Sequence, residues 1–209
     1  MNLKILRGTN QIGGSCVELA SANTRILIDI GLPLDSLVKK PEDLKQYLPK
    51  IDGHIDAVFI SHYHLDHHGL VSEIDTSIPV YVSSGTAKMF GINTIFLNKP
   101  KVENLRLIDT ITPVIVGDIK VTAFTVDHSA YDAMAFLIEA EGKQVLYSGD
   151  IRTHGVKGNL YQNLPQNVDY LILEGTNIGK PESISKTEKE IKDQFVKLFK
   201  KYPDRINYV

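Results

Sequence analysis

Four of the seven histidines stand within nine residues, Ser61-His62-Tyr63-His64-Leu65-Asp66-His67-His68-Gly69. The core of that stretch, His-x-His-x-Asp-His, offers imidazoles and a carboxylate, the donor types of zinc and related transition metals. It follows directly on Ala57 to Ile60, a four-residue apolar run too short for a helix and suited to a buried strand. Where the chain leaves that strand, alternate residues His62 and His64 can point into one cleft. Asp66 and His67 come next, where the loop turns into a helix. Loops at strand ends are where open α/β sheets place their sites.

Two more stretches carry chemistry at strand ends, Val126-Asp127-His128-Ser129 and Ser148-Gly149-Asp150. With the histidine stretch they bring ligand types from three separate strand ends to one edge, so His128 and Asp150 are read as metal ligands together with His62, His64, Asp66 and His67. No Ser-His-Asp triad, phosphate loop or dinucleotide fingerprint competes with a metal site. Cys16 reads as a small buried residue on a strand and not as a nucleophile.

The elements that must position these residues are mostly short β runs. Leu3 to Arg7, Cys16 to Ala20 and Arg25 to Ile30 predict a meander, with the turn-rich Gly8 to Gly14 stretch between the first two. Helical segments are expected at Pro41 to Leu48, Leu70 to Ile74 and Thr86 to Phe96. Strands are expected at Pro79 to Val82, Val114 to Val116, Lys120 to Val126, Ala135 to Glu139, Gln144 to Tyr147 and Tyr170 to Leu173. Helices falling between strands predict an α/β arrangement with helices over mixed sheets. Ser185-Lys-Thr-Glu188 has capping-box form, and Ile191, Phe195, Leu198 and Phe199 then share one helical face. Ile206-Asn-Tyr-Val209 resembles the start of a strand, so the chain is expected to continue beyond Val209.

Bulk properties narrow the function. Hydrophobic residues make up 43% and charged residues 23% of 209, which excludes collagen-like, disordered and coiled-coil classes. No apolar run spans a bilayer and no signal-peptide pattern opens the chain, so no membrane role and a cytoplasmic address are expected. A single cysteine fits a reducing compartment. Residues 1–180 carry a net −4 and 181–209 a net +2, so a nucleic-acid role has to rest on a site and not on overall charge.

These residues resemble the metallo-β-lactamase superfamily over nearly the whole chain. Asp29 in Leu27-Ile-Asp-Ile-Gly31 matches its first motif, His62 to His67 its second, His128 its third and Asp150 its fourth. The resemblance implies an αββα sandwich, two mixed sheets flanked by helices, with metals at one edge. It further implies that His62, His64 and His128 bind one metal, that Asp66 and His67 bind a second, that Asp150 bridges both, and that Asp29 holds the ligand loop. The Gly8 to Gly14 loop, Asp127-His128-Ser129 and Leu171-Ile-Leu-Glu-Gly-Thr176 are similar to the β-CASP branch of nucleic-acid-processing enzymes, in which Glu174 occupies the first branch-specific motif. That branch implies a metallo-β-lactamase-like domain over 1–180 and the start of an inserted domain at 181–209. Arg152 and His154 are candidates for substrate contact, with turn capping as their alternative reading.

The expected cofactor is Zn²⁺, one or two ions, with Mn²⁺ as the alternative. Two metals about 3.5–4 Å apart generate hydroxide at neutral pH, and Asp66 is the expected group to orient it and accept its proton. The expected activity is cleavage of RNA or DNA phosphodiesters, with a single-stranded nucleic acid as substrate. Hydrolysis of a small ester, thioester or lactone, and a catalytically silent metal-binding protein, stay open as alternatives. His154 lies too close to Asp150 to be the family's last histidine ligand, so the second metal is expected to bind weakly in these 209 residues and turnover to be low.

Overall fold

The computed structural model describes residues 1–34, 41–96, 100–181 and 186–205, and the side chains of all of these except 41–43. Its first three strands are β1 (Asn2–Arg7), β2 (Cys16–Ala20) and β3 (Arg25–Ile28), paired antiparallel as a meander. Then β4 (Ala57–Phe59), β5 (Val80–Val82) and β6 (Leu105–Leu107) add parallel, giving a six-stranded mixed sheet in the order β1-β2-β3-β4-β5-β6. The second sheet runs β11-β10-β9-β8-β7. It is built from β7 (Val114–Val116), β8 (Ile119–Thr125), β9 (Met134–Ala140), β10 (Lys143–Tyr147) and β11 (Tyr170–Ile172). Only its β10–β11 pair is parallel.

Alternation along the central strands explains the layers. On β3, Ile26 and Ile28 face the second sheet while Leu27 faces away, and on β4 Ala57 and Phe59 do the same with Val58 opposite. The inner layer is therefore Val17, Leu19, Ile26, Ile28 and Phe59 against Ile119, Val121, Phe136, Ile138 and Val145, with Phe59 meeting Phe136 edge to face at 5.9 Å. The outer face of the first sheet packs Leu27, Val58, Ile60 and Val80 beneath Leu70 and Phe90, the latter on α2 (Ser84–Phe96). This is the expected pair of mixed sheets with helices.

Several local expectations need correction. The segment at Leu70 to Ile74 forms only a 3₁₀ turn, Val71–Glu73, because Ile74 is already extended at ψ 167°. Pro41–Tyr47 is likewise 3₁₀. Strand β6 has no counterpart among the expected elements. The final helix, α3 (Glu188–Lys201), starts later than the Ser185 box predicts. Its box is Thr187 with Glu190: the Thr187 hydroxyl accepts from the Glu190 N–H at 3.3 Å and Glu190 Oε2 accepts from the Thr187 N–H at 2.7 Å. Glu188 is not free to close the expected box, because Arg152 and the Val156 N–H hold its carboxylate. Ser185 and the Ile206 to Val209 strand lie outside the described residues. No helix is long and apolar enough to cross a membrane among the described residues.

Candidate metal centre

The ends of β3, β4, β8, β10 and β11 all open onto one edge of the sandwich. Past β4 the chain is pinned to both sheets: Ile60 N–H donates to Tyr81 O at 2.9 Å, and Ser61 O accepts from the Met134 N–H of β9 at 2.9 Å. His62 therefore leaves the sheet fully buried. The short helix α1 (Leu65–His68) then turns Asp66 and His67 back toward the edge. Its backbone is held by Ile30 N–H to His67 O, Leu32 N–H to Leu65 O and Ser15 N–H to Asp66 O, at 2.8, 2.8 and 2.9 Å. Gly31 is the point of closest approach, since a Cβ there would stand 1.7 Å from Asp66 O.

Three imidazoles converge. His64 Nδ1 lies 3.1 Å from both His62 Nε2 and His128 Nε2. Two nitrogens bonded to one tetrahedral zinc at about 2.0–2.1 Å stand about 3.4 Å apart, so this spacing fits a shared ion. A second cluster joins His62, His67 and Asp150, with ligand atoms all within 4.8 Å. Asp150 turns one oxygen to each cluster: Oδ1 is 3.2 Å from His67 Nε2 and Oδ2 is 3.5 Å from His128 Nε2. Asp66 flanks the second cluster, its Oδ2 3.8 Å from His67 Nε2.

Behind the clusters, Asp29 organises the ligand loop. It adopts a left-handed backbone, φ 58°, and is fully buried. Its Oδ1 accepts from the Ser61 N–H at 2.7 Å; its Oδ2 accepts from the Ser61 hydroxyl, the Tyr147 hydroxyl and His67 Nδ1 at 2.8, 2.6 and 2.7 Å. With its own hydrogen committed to Asp29, Ser61 Oγ accepts from His62 Nδ1 at 3.0 Å. Both histidines thus present Nε2 to the clusters, as orienting hydrogen bonds do for ligating imidazoles. Tyr147 and Ser61 escaped the sequence reading; Tyr147 is 118 residues from Asp29, and nothing local marks the pair.

Protonation follows from these contacts. Burial, then the surrounding imidazoles, push His62 well below its ordinary value, and burial also lowers His128 despite Asp150. Burial works against charge on His67, yet the carboxylates of Asp29 and Asp150 outweigh it and push that imidazole up to about 10. Burial opposes charge on Asp150 too, but His67 and His128 hold it below the usual carboxylate range. His62 and His128 are therefore neutral and ready to donate lone pairs, while His67 must shed a proton to do so.

A cleft of about 730 Å³ opens on the second cluster, bounded by the Gly8 to Gly13 loop, Asp66, His67, Asp150 and Glu174. Glu174 sits past β11, its N–H donating to Ser148 Oγ at 3.1 Å and its Oε2 accepting from the Thr176 N–H at 2.9 Å. Arg7 is the one lysine or arginine among the described residues lining the cleft. Its guanidinium is committed to the carbonyls of Gly14 (2.8 Å), Gly31 (2.6 Å) and Tyr47. Arg152 points instead to Asp127 and Glu188, and His154 is exposed and joins neither cluster. Cys16 is fully buried, and burial pushes its thiol up to about 12.

A family model described as "Beta-lactamase superfamily domain" matches residues 24–206. An RNase J-like protein of Methanocaldococcus jannaschii is 31% identical over 93% of this chain and 47% of its own length. Ribonuclease J of Helicobacter pylori is 24% identical over 96% of this chain and 31% of its own. The chain thus spans less than half the length of these relatives. A crystal structure of a protein of unknown function from Enterococcus faecalis superposes with a TM-score of 0.81 at 25% identity, covering 97% of this chain and 58% of that one.

Proposed function

The chain belongs to the metallo-β-lactamase superfamily, and from that premise we propose that it is a metal-dependent nuclease acting on single-stranded RNA or DNA. The observation that carries the reading is the convergence of His62 Nε2, His64 Nδ1 and His128 Nε2, with Asp150 turned between them and His67. In this reading His62, His64 and His128 would hold one ion and Asp66 and His67 a second, with Asp150 placed to serve either. Nitrogen donors with carboxylates suit Zn²⁺, with Mn²⁺ the alternative where oxygen donors dominate. Bound divalent ions supply a nucleophile from water at neutral pH and neutralise charge on the phosphoryl oxygens.

The protein's own groups do the rest. Asp66, at the cleft wall, orients the attacking water and takes its proton. Asp29 keeps His67 turned inward. Arg7 is spent on three carbonyls, so its guanidinium is not free to meet phosphate charge in the cleft. The likeness to RNase J-like proteins supports phosphodiesters as substrates. A small ester, thioester or lactone is the second reading, favoured by the lack of a free lysine or arginine in the cleft among the described residues.

The test is turnover of single-stranded RNA and of a bis-aryl phosphodiester by the metal-loaded protein and by its Asp66→Asn variant. Cleavage by the first, lost in the second with the fold intact, is expected. Turnover of thioesters or lactones alone would favour the second reading, and comparable phosphodiesterase activity in Asp66→Asn would remove Asp66 from the mechanism.

A further inference from the structure

His128 is held differently from His62 and His67. His67 carries a carboxylate on its far nitrogen and His62 a hydroxyl, whereas among the described residues His128 Nδ1 has no hydrogen-bond partner in the protein. Its orientation has to come from the backbone that carries it. That backbone is gripped one residue earlier, at the buried Asp127.

We propose that Arg152 is a positioning residue for His128, acting through Asp127 and braced by Glu188 at the start of α3. Arg152 takes hold of Asp127 twice, its N–H donating to Asp127 O at 2.9 Å and its Nε to Asp127 Oδ1 at 3.2 Å. The other carboxylate oxygen of Asp127 accepts from the Lys157 N–H at 3.0 Å. The far end of the guanidinium, Nη2, lies 3.3 Å from both oxygens of Glu188, of which Oε2 also accepts from the Val156 N–H at 2.8 Å, while the Glu188 N–H donates to His154 O at 3.2 Å. Segment 152–157 is thus a clasp between the strand end bearing His128 and the first turn of α3.

Two features make the clasp tight. A Cβ on Gly155 would lie 2.1 Å from Asp127 Oδ2 and 2.7 Å from Arg152 Nε, so only glycine lets the loop close on the pair. The planar fork of arginine reaches two carboxylates at once, which a lysine ammonium does not reproduce at fixed geometry. A carboxylate as buried as Asp127 keeps its place only while paired, so loss of the guanidinium frees the Asp127-His128 backbone to move.

The inference rests on the metal reading, and the experiment separates the two. Zinc affinity is measured by competition with a chromophoric chelator, and the imidazole NMR signals of the metal-free protein are recorded, for wild type, Arg152→Ala, Arg152→Lys and Glu188→Gln. Disturbing a group that orients a ligand typically costs about 10–100-fold in metal affinity. That loss is expected for Arg152→Ala at the three-imidazole cluster, with displaced His128 signals and unmoved His67 signals. Smaller losses are expected for Arg152→Lys and Glu188→Gln. Wild-type affinity and unmoved His128 signals in Arg152→Ala, with only a lower melting temperature, would overturn the proposal. If Arg152→Ala fails to fold, wild-type behaviour of Arg152→Lys overturns it equally. A wild-type protein that takes up no zinc would defeat the metal reading, and the metal-free His128 signals would still decide the role of Arg152.

Discussion

Replacing Gly31 by alanine should disable the second cluster while sparing the first. The added methyl would meet Asp66 O at 1.7 Å and Asp66 C at 2.2 Å, where ordinary contact begins at 3.4 Å, so one backbone must retreat by about 1.7 Å. Neither side is free to yield, because the Ile30, Leu32 and Ser15 N–H groups fasten this segment to the 65–67 carbonyls at 2.8–2.9 Å. Overpacking of this kind costs about 1–3 kcal/mol, roughly 2–12 °C in melting temperature for a chain of this size. Ligand geometry tolerates only about 0.5 Å of displacement, so a shift larger than that takes Asp66 and His67 out of register with Asp150. His62, His64 and His128 hang from the ends of β4 and β8 and should keep their mutual spacing. Calorimetric titration of the metal-free variant with zinc, beside a thermal melt, is the assay. One tight site surviving with the weaker one lost is expected. Wild-type affinity at both sites with an unchanged melt would refute the reasoning.

Tyr147→Phe removes the hydroxyl that donates to Asp29 at 2.6 Å. The expected loss is about 1.5–3 kcal/mol, the worth of a hydrogen bond to a charged group, read by urea denaturation of the metal-free chain. Cys16, fully buried with its thiol pushed up to about 12, should resist a thiol reagent at pH 8 in the native state and react fully once unfolded; rapid native labelling would contradict that burial. The raised pKa of His67, about 10 against an ordinary 6.5, stabilises the metal-free fold fully below pH 6.5, and this contribution is lost as pH rises through 10. The same proton has to leave before His67 can ligate. Zinc uptake at the second cluster at pH 7.5 should therefore release about one proton from this residue, detected in buffers of different ionisation enthalpy, and tighten by about tenfold per pH unit toward 10.

The meander of β1 to β3 was readable because turn residues punctuate short apolar runs that the fold buries on β2 and β3. The convergence of His62, His64, His67, His128 and Asp150 was readable because these residue types at this spacing have few other uses. Strand β6 was not, since Leu105-Arg106-Leu107 is three residues long and becomes a strand only by pairing with β5. Nor was the role of Arg152, which appears in sequence only as an arginine after Asp150. Its partners, 25 and 36 residues away, are chosen by the turn at Gly155. The capping box slid from Ser185–Glu188 to Thr187–Glu190 for the same reason, because Glu188 has a tertiary partner that helix-end rules do not see. Local pattern thus predicted most strands and the last helix, while the supports behind the site, Tyr147 on Asp29 and Arg152 on Asp127, exist only once the two sheets are packed.

The central claim, that residues from three strand ends hold metal together, is tested most directly by elemental analysis of purified wild-type protein beside a His64→Ala, His128→Ala double variant. These residues are 64 positions apart and meet only at one cluster, His64 Nδ1 to His128 Nε2 at 3.1 Å. The account predicts a divalent metal of the zinc class in the wild-type protein and loss of the three-imidazole ion in the double variant, with the melting profile showing a folded chain. Full metal stoichiometry retained by a folded double variant would contradict it.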